Sequence, residues 1–268
     1  MDCKICKYGI IQKIRIKSKG DSRMNWENEL QKIKNGRVLD VATGAGGFLT
    51  KVEKYLSNPE KMIGIDTNQK ALDIANKNLS EKGYEFLCMN GTQLDFNAGS
   101  FDVVTMSNSV HHFSNPEEIL GEMIRVLKPD GLLLIYEMVR DGVTSKQKSH
   151  VLLHDFWGKI DTQLGVCHNP TFKNDELKNL LTSTNELNLL FTEVEVIDEN
   201  NQEEENEEEM LEEIRGVLDR YVNLAITNNL PNLEEISKEA EYIMDYVQTE
   251  GFDSAPEYYY LLKKKNEK

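Results

Sequence analysis

Five histidines are spread over the 268 residues, and they fall in three short segments: His111 and His112, His150 and His154, and His168. A neutral imidazole beside a substrate hydroxyl or amine can serve as a general base. His111 and His154 are the candidates for that role. His112, His150 and His168, with Trp157 and Asp161, are candidates to line a substrate cleft. Histidines four apart on a helix can also share an ion, as His150, His154 and His168 could. Such pairs more often stand without metal, and the expectation here is none. Cys3-x-x-Cys6 is half a zinc site with no second pair at the required spacing. The other chemistry-bearing stretch is Asp40-Val41-Ala42-Thr43-Gly44-Ala45-Gly46. A glycine-rich turn lets backbone approach a ligand, and the helix that follows offers free N–H groups. Asp66 ends the next apolar run, 26 positions on (66 − 40). An acid at that place can hydrogen-bond a ribose diol.

The elements that must position these residues are read from periodicity. Val38 to Val41 and Met62 to Asp66 are apolar runs of strand length. Gly46 to Leu56 reads as a first crossover helix and Asn68 to Lys82 as a second, its inward face formed by Ala71, Ile74, Ala75 and Leu79, with Gly83 as the stop. Glu85 to Met89 reads as a third strand, which places Cys88 in the core. Asn115-Pro116-Glu117-Glu118 opens a helix whose inward face is Ile119, Met123, Ile124 and Leu127. Leu132 to Tyr136 is a fifth strand. Strands alternating with helices imply a doubly wound, mostly parallel sheet with ligands at the strands' C-terminal ends.

A helix is expected from about Thr144 to Leu164. At 100° per residue, His150, His154, Trp157 and Asp161 fall within about 60° of one another. They border an apolar face of Leu152, Leu153, Phe156 and Ile160, as on a helix whose edge lines a cleft. A further helix spans about Asn174 to Thr182, and Phe191 to Ile197 alternates as a sixth strand. Two helical spacings follow: Ile214, Leu218, Tyr221, Ala225, then Ile236, Ala240, Ile243, Val247. Ala255 to Lys263 is a strand signal.

Several blocks, in order, resemble the class I S-adenosylmethionine-dependent methyltransferases. The Asp40-x-Ala42-x-Gly44-x-Gly46 turn resembles motif I. Asn90 to Phe96 resembles the D-A-x-x-L-P-F segment, Phe101-Asp102-Val103-Val104 through His111-His112-Phe113 the fourth-strand block, and Leu127-Lys128-Pro129-Asp130-Gly131 the L-K-P-G-G turn. The resemblance spans about Arg37 to Glu137. It implies a seven-stranded Rossmann-like sheet closed by an antiparallel sixth–seventh strand pair. The expected organisation is then an N-terminal arm and lid helix over 1–36, a methyltransferase domain over 37–201 and 252–268, and an inserted helical hairpin over 202–251. The short helix led by Met24-Asn25-Trp26 would lie over the cofactor or cover a sheet edge. S-adenosylmethionine would be held by Asp40, Ala42, Gly44, Ala45 and Gly46 at its methionine end and by Asp66 at the ribose. Thr67, Asn90, Gly91 and Ser107 would complete the cofactor site, Asn90 where the family often has Asp.

The charge of −15 disfavours a nucleic-acid substrate, although the first 23 residues carry seven Lys or Arg against two Asp. No apolar run approaches the ~20 residues of a membrane helix. Four cysteines and the absence of a signal-peptide pattern point to a cytoplasmic setting. Glu199 to Glu213 carries nine acids and no base and leads into the hairpin. That hairpin could shape the cleft or pair two copies into a homodimer. The expected activity is methyl transfer to a small-molecule acceptor, leaving S-adenosylhomocysteine. The alternatives are a catalytically silent binding protein with a protein partner, and a nicotinamide oxidoreductase, which the turn spacing disfavours.

Overall fold

A computed structural model describes residues 25–195 and 206–266. The Cys3–Cys6 pair, the basic arm and the first part of the acidic run lie outside the described residues. In chain order the elements are α1 (Trp26–Gln31), β1 (Arg37–Val41), α2 (Gly47–Glu53), β2 (Lys61–Asp66), α3 (Gln69–Leu79), β3 (Glu85–Cys88), β4 (Phe101–Ser107), α4 (Pro116–Val126), β5 (Leu127–Met138), α5 (Ser145–Gln163), α6 (Asn174–Thr182), β6 (Leu187–Val194), α7 (Glu207–Thr227), α8 (Leu233–Glu250) and β7 (Glu257–Lys264). The seven strands form one sheet in the order β3-β2-β1-β4-β5-β7-β6. Strands β1 to β5 run parallel, and β7 runs antiparallel to both β5 and β6. The sheet order reverses between β1 and β4, the switch point where such sheets bind ligands.

Two apolar layers cover the sheet. One packs α4 and α6 against Leu39, Ile63, Val104, Ile135 and Tyr260. The other packs α1 and α2 against Val38, Val103, Leu134 and Tyr259. A third core, separate from both, joins α5 to α7 and α8 through Leu153, Phe156, Trp157, Ile214, Leu218, Ile243 and Val247. The hairpin therefore spends its apolar face on α5.

Several polar residues are explained by what they tie together. Asp102 accepts the Arg37 N–H at 2.8 Å and pairs with Lys128 at 2.8 Å, tying β4 to its neighbours. The Arg125 guanidinium donates to the Phe96 and Leu94 carbonyls at 2.7 and 2.8 Å. Helix α5 opens on a capping box made by Thr144 and Gln147.

Three expectations are corrected. Ile74 is exposed, and Leu72 takes its place with Ala71 and Ala75 on the buried side of α3. Cys88 is exposed because β3 is the sheet's edge. Strand β6 begins at Leu187, four residues earlier than expected. A register shift between Leu189 and Phe191 breaks the alternation there, so the pattern in the sequence is clean only from Phe191. Helix α1 is anchored by Trp26, which is fully buried, stacked on Tyr259 at 4.7 Å and edge-on to Tyr55 at 4.9 Å.

That packing sets a test. Trp26→Ala should cost about 3–5 kcal/mol, the usual range for deleting a buried aromatic. Urea unfolding measures it, and a loss below about 1 kcal/mol would show that α1 is not part of the core.

Candidate active site

The turn after β1 is built from alternating backbone hands. Ala42, Gly44 and Gly46 take φ of 56°, 56° and 81°, all left-handed. Such a conformation is nearly free for glycine and costs an alanine about 1–2 kcal/mol, so Ala42 is the strained member. The turn leans on α3 through Gly46 and on β2 through Thr43. A Cβ at Gly46 would stand 2.6 Å from Leu79 Cδ1, and one at Gly64 2.7 Å from Thr43.

Asp40 holds this turn from below. Its carboxyl is buried; Thr43 Oγ1 donates to it at 2.7 Å and Thr105 Oγ1 at 2.6 Å. Burial pushes its pKa up to about 6, against the two hydroxyls that favour the charge. Asp40 was expected to hold the methionine end of a cofactor; it lies buried beneath the turn and is not among the residues lining the cleft. Asp66 is different. Its Oδ2 accepts the Gly44 N–H at 2.8 Å and its Oδ1 accepts the Asn68 N–H at 2.8 Å. These bonds tie the turn to the start of α3 while the carboxylate still borders a cleft.

The cleft has a volume of about 460 Å³, within the range of small-molecule sites. One wall is Ala42, Thr43, Gly44, Ala45, Gly47, Phe48, Asp66, Thr67 and Asn68. The other is Ser107, Asn108, Ser109, His112, Phe113, Asp161, Val166 and Cys167. Of the expected cofactor residues, Ala42, Gly44, Ala45, Asp66, Thr67 and Ser107 line it. Gly46 lies behind the wall, and Asn90 and Gly91 are outside the lining. Asn90 Oδ1 accepts from the Thr92 N–H and hydroxyl at 3.0 and 3.1 Å.

Four of the five histidines converge beside the second wall. The ring centroids of His111 and His112 are 4.3 Å apart, His112 and His168 4.3 Å, His154 and His168 4.8 Å, and His111 and His154 4.9 Å. Outer groups hold them. Glu137 Oε1 pairs with His111 Nδ1 at 2.6 Å, while its Oε2 accepts the Ser109 and Val110 N–H groups at 3.1 and 3.0 Å. Asp161 pairs with His168 Nδ1 at 2.8 Å. The Cys167 carbonyl lies 3.3 Å from His112 Nδ1. Asn169 clamps the loop to the His111 and Phe113 carbonyls at 3.1 and 3.2 Å.

His112 and Asp161 line the cleft. His111 and His154 do not face it; each is only 2% exposed. Burial and the surrounding imidazoles hold His154 well below its ordinary pKa, hence neutral. Their role as bases touching a substrate is corrected to a place in the buried cluster. His168 belongs to the same cluster. His150 instead accepts the Ala255 N–H at 3.1 Å, and burial lowers its pKa to about 4. Trp157 is fully buried and stacks on Tyr221 at 6.1 Å within the three-helix core. The helical wheel gave its direction without the hairpin that covers it.

Two site residues were missed from sequence. Glu137 is the lone acid in the buried run Leu132 to Met138, and that anomaly was the available signal. Asn108, at φ 42°, donates to Glu257 at 2.7 Å and accepts the Met138 N–H at 2.9 Å, fixing the β4 end of the cleft.

Residues 39–135 match the sequence profile of a family described as methyltransferase domain. The mitochondrial 2-methoxy-6-polyprenyl-1,4-benzoquinol methylase of Caenorhabditis elegans is 32% identical over 114 residues, covering 40% of this chain and 40% of that protein. The demethylmenaquinone methyltransferase of Lactococcus lactis is 35% identical over 103 residues, 37% of this chain and 41% of that protein. The chain thus spans about two-fifths of the length of these curated relatives. Among solved structures, the YcgJ protein from Bacillus subtilis superposes with a TM-score of 0.56 at 18% identity, over 90% of this chain and 96% of that one. The [4+2]-cyclase SpnF does so at 0.59 and 18%, over 93% and 86%. At those identities the structures show the fold.

The raised Asp40 pKa gives a pH test. The folded state binds this proton more tightly than the unfolded chain. The carboxyl therefore costs nothing below about pH 4, and stability is lost as pH rises through about 6. Asp40→Asn should gain on the parent by roughly 3 kcal/mol between pH 4 and 7, since each tenfold difference in proton affinity between the folded and unfolded states is worth about 1.36 kcal/mol. Urea midpoints of both proteins at the two pH values check it; a pH-independent difference would refute the burial argument.

Proposed function

We propose that this chain, whose residues 39–135 match a methyltransferase-domain family, works as a class I S-adenosylmethionine-dependent methyltransferase and moves a methyl group from S-adenosylmethionine to a small-molecule acceptor. When bound, the sulfonium cofactor supplies the electrophilic methyl group, and the acceptor displaces it in line. The work left to the chain is to orient two reactants and keep water out.

The observation that carries this reading is the pairing of the left-handed turn with Asp66 on one wall of the cleft. The alternating turn brings backbone close enough for a flat nucleoside to lie along it. Asp66 keeps acceptor capacity beyond its two backbone bonds, because each carboxylate oxygen has a second lone pair. Thr67 and Asn68 continue that wall. This arrangement fits a ribose and its base better than a pyrophosphate, which would be repelled by the carboxylate.

The acceptor belongs against the other wall. His112 is the cluster imidazole that borders the cleft, and it is the group placed to orient an acceptor or take its proton. Phe48 and Phe113 supply apolar surface for an acceptor with a planar or aliphatic body. The relatives named for quinol and menaquinone methylation support a small acceptor in general terms. Their matched segments cover about two-fifths of each protein and do not establish a quinone here.

Calorimetry with S-adenosylhomocysteine tests the cofactor half. Asp66→Ala should weaken binding about 10- to 100-fold, the usual range for a lost charged hydrogen-bond pair. An unchanged Kd would refute the assignment. Incubating the full chain with labelled methyl donor and a metabolite extract tests the acceptor half. Labelled small-molecule product supports the reading, whereas tight cofactor binding without any turnover would favour the silent, partner-binding alternative.

A further inference from the structure

We propose that His111, His112 and His168 hold a divalent transition-metal ion of the zinc type beside the cleft. This site stands on the side chains alone and does not depend on methyl transfer. One ring nitrogen from each histidine lies within 4.8 Å of the other two, with His111 and His168 buried and His112 half-buried.

The outer groups are those of histidine ligands. Each Nδ1 is already turned to an acceptor: Glu137 for His111, the Cys167 carbonyl for His112 and Asp161 for His168. Metal-bound histidines use their second nitrogen in this way, which fixes the tautomer and aims the ring. With Nδ1 protonated, Nε2 carries the lone pair. His111 Nε2 is buried with no hydrogen-bond partner. A buried polar atom left without a partner is destabilising, and an ion would remove that penalty. His168 Nε2 faces His154 Nε2 at 3.3 Å, so a fourth imidazole is within reach as a ligand after a ring rotation.

Charge and ligand type select the ion. Glu137 and Asp161 place two carboxylates directly behind the His111 and His168 rings, which balances a 2+ ion at the centre. An all-imidazole set suits zinc, copper, nickel or iron and not magnesium or calcium, which take oxygen ligands. Tetrahedral bonds of ~2.0–2.1 Å would set the nitrogens about 3.4 Å apart, so the rings draw inward by roughly an ångström on binding. Because His112 borders the cleft, an ion there would sit against whatever occupies the second wall.

The test uses the untagged full chain, stripped with a chelator and titrated with zinc and then cobalt. The expected result is one ion per chain. Cobalt should give visible bands of nitrogen coordination, with no near-ultraviolet sulfur-to-cobalt charge transfer. A Cys3→Ser/Cys6→Ser variant should keep the ion. His111→Gln and His168→Gln should weaken it at least 100-fold, and Asp161→Asn about 10- to 100-fold, each variant checked by circular dichroism. If a histidine variant does not fold, the cobalt spectrum of the parent still decides. No bound ion, or a thiolate band that vanishes in the cysteine variant, would overturn the assignment.

Discussion

A carboxyl group with no solvent contact sits beneath the turn that makes this cleft, and the rest of the site depends on how its burial is tolerated. Asp40 gives up hydration, and the hydroxyls of Thr43 and Thr105 replace it. That exchange is unfavourable on balance, as the raised pKa shows. It nevertheless fixes geometry. Thr43 belongs to the turn and Thr105 to β4, so the one carboxyl bolts the turn to two neighbouring strands. With the turn held from below, Ala42 can be kept in a left-handed conformation it would not choose. Asp66 completes the clamp from the side through Gly44 and Asn68. The two acids are therefore not equivalent: one is consumed in building the loop, and the other is left on the cleft wall.

The opposite wall repeats the device with different chemistry. Glu137 is wholly buried and satisfies three partners, the His111 ring and the N–H groups of Ser109 and Val110. It fastens the short turn after β4 to β5, just as Asp40 fastens the turn after β1. Asn108 adds a third tie, to β5 and β7 at once. Each loop at the switch point is thus pinned by a buried carboxyl of the sheet, Asp40 of β1 for the first and Glu137 of β5 for the second. Buried polar groups demand satisfied hydrogen bonds, so such loops have few alternative conformations.

How much of this could be read from the chain follows from the range of each interaction. The turn and Asp66 were legible because strand, glycines and acid are local signals at fixed spacing. The sheet's antiparallel closure was legible because the strand pattern near Tyr259 is strong and the blocks before it resembled a known order. The roles of the histidines were not. Periodicity puts His154, Trp157 and Asp161 on one stripe of α5, but the cover over each position comes from elsewhere. His168 meets His154 and Asp161, while Trp157 is covered by Tyr221, 64 residues away (221 − 157). The pairing of His111 with Glu137 spans two elements, and no spacing rule announces it. Ile74 failed for a simpler reason: a face of small and large apolar residues on α3 admits two helical registers, and only packing chose Leu72.

The hairpin of α7 and α8 then has a role that follows from where its apolar face goes. Helix α5 carries Asp161 on the cleft wall and His154 behind it, yet it lies beyond the sheet's own layers. Packed on the sheet alone it would expose Leu153, Phe156 and Ile160. The hairpin buries those residues together with Trp157, which stops α5 from rolling about its axis. A roll of one residue would move His154 by about 100° and break its 3.3 Å approach to His168. Gly158 tightens the same joint, since a Cβ there would meet the His168 carbonyl at 3.2 Å. The insertion between β6 and β7 thus acts on the cleft at one remove, by holding the rotation of the helix that carries its far wall.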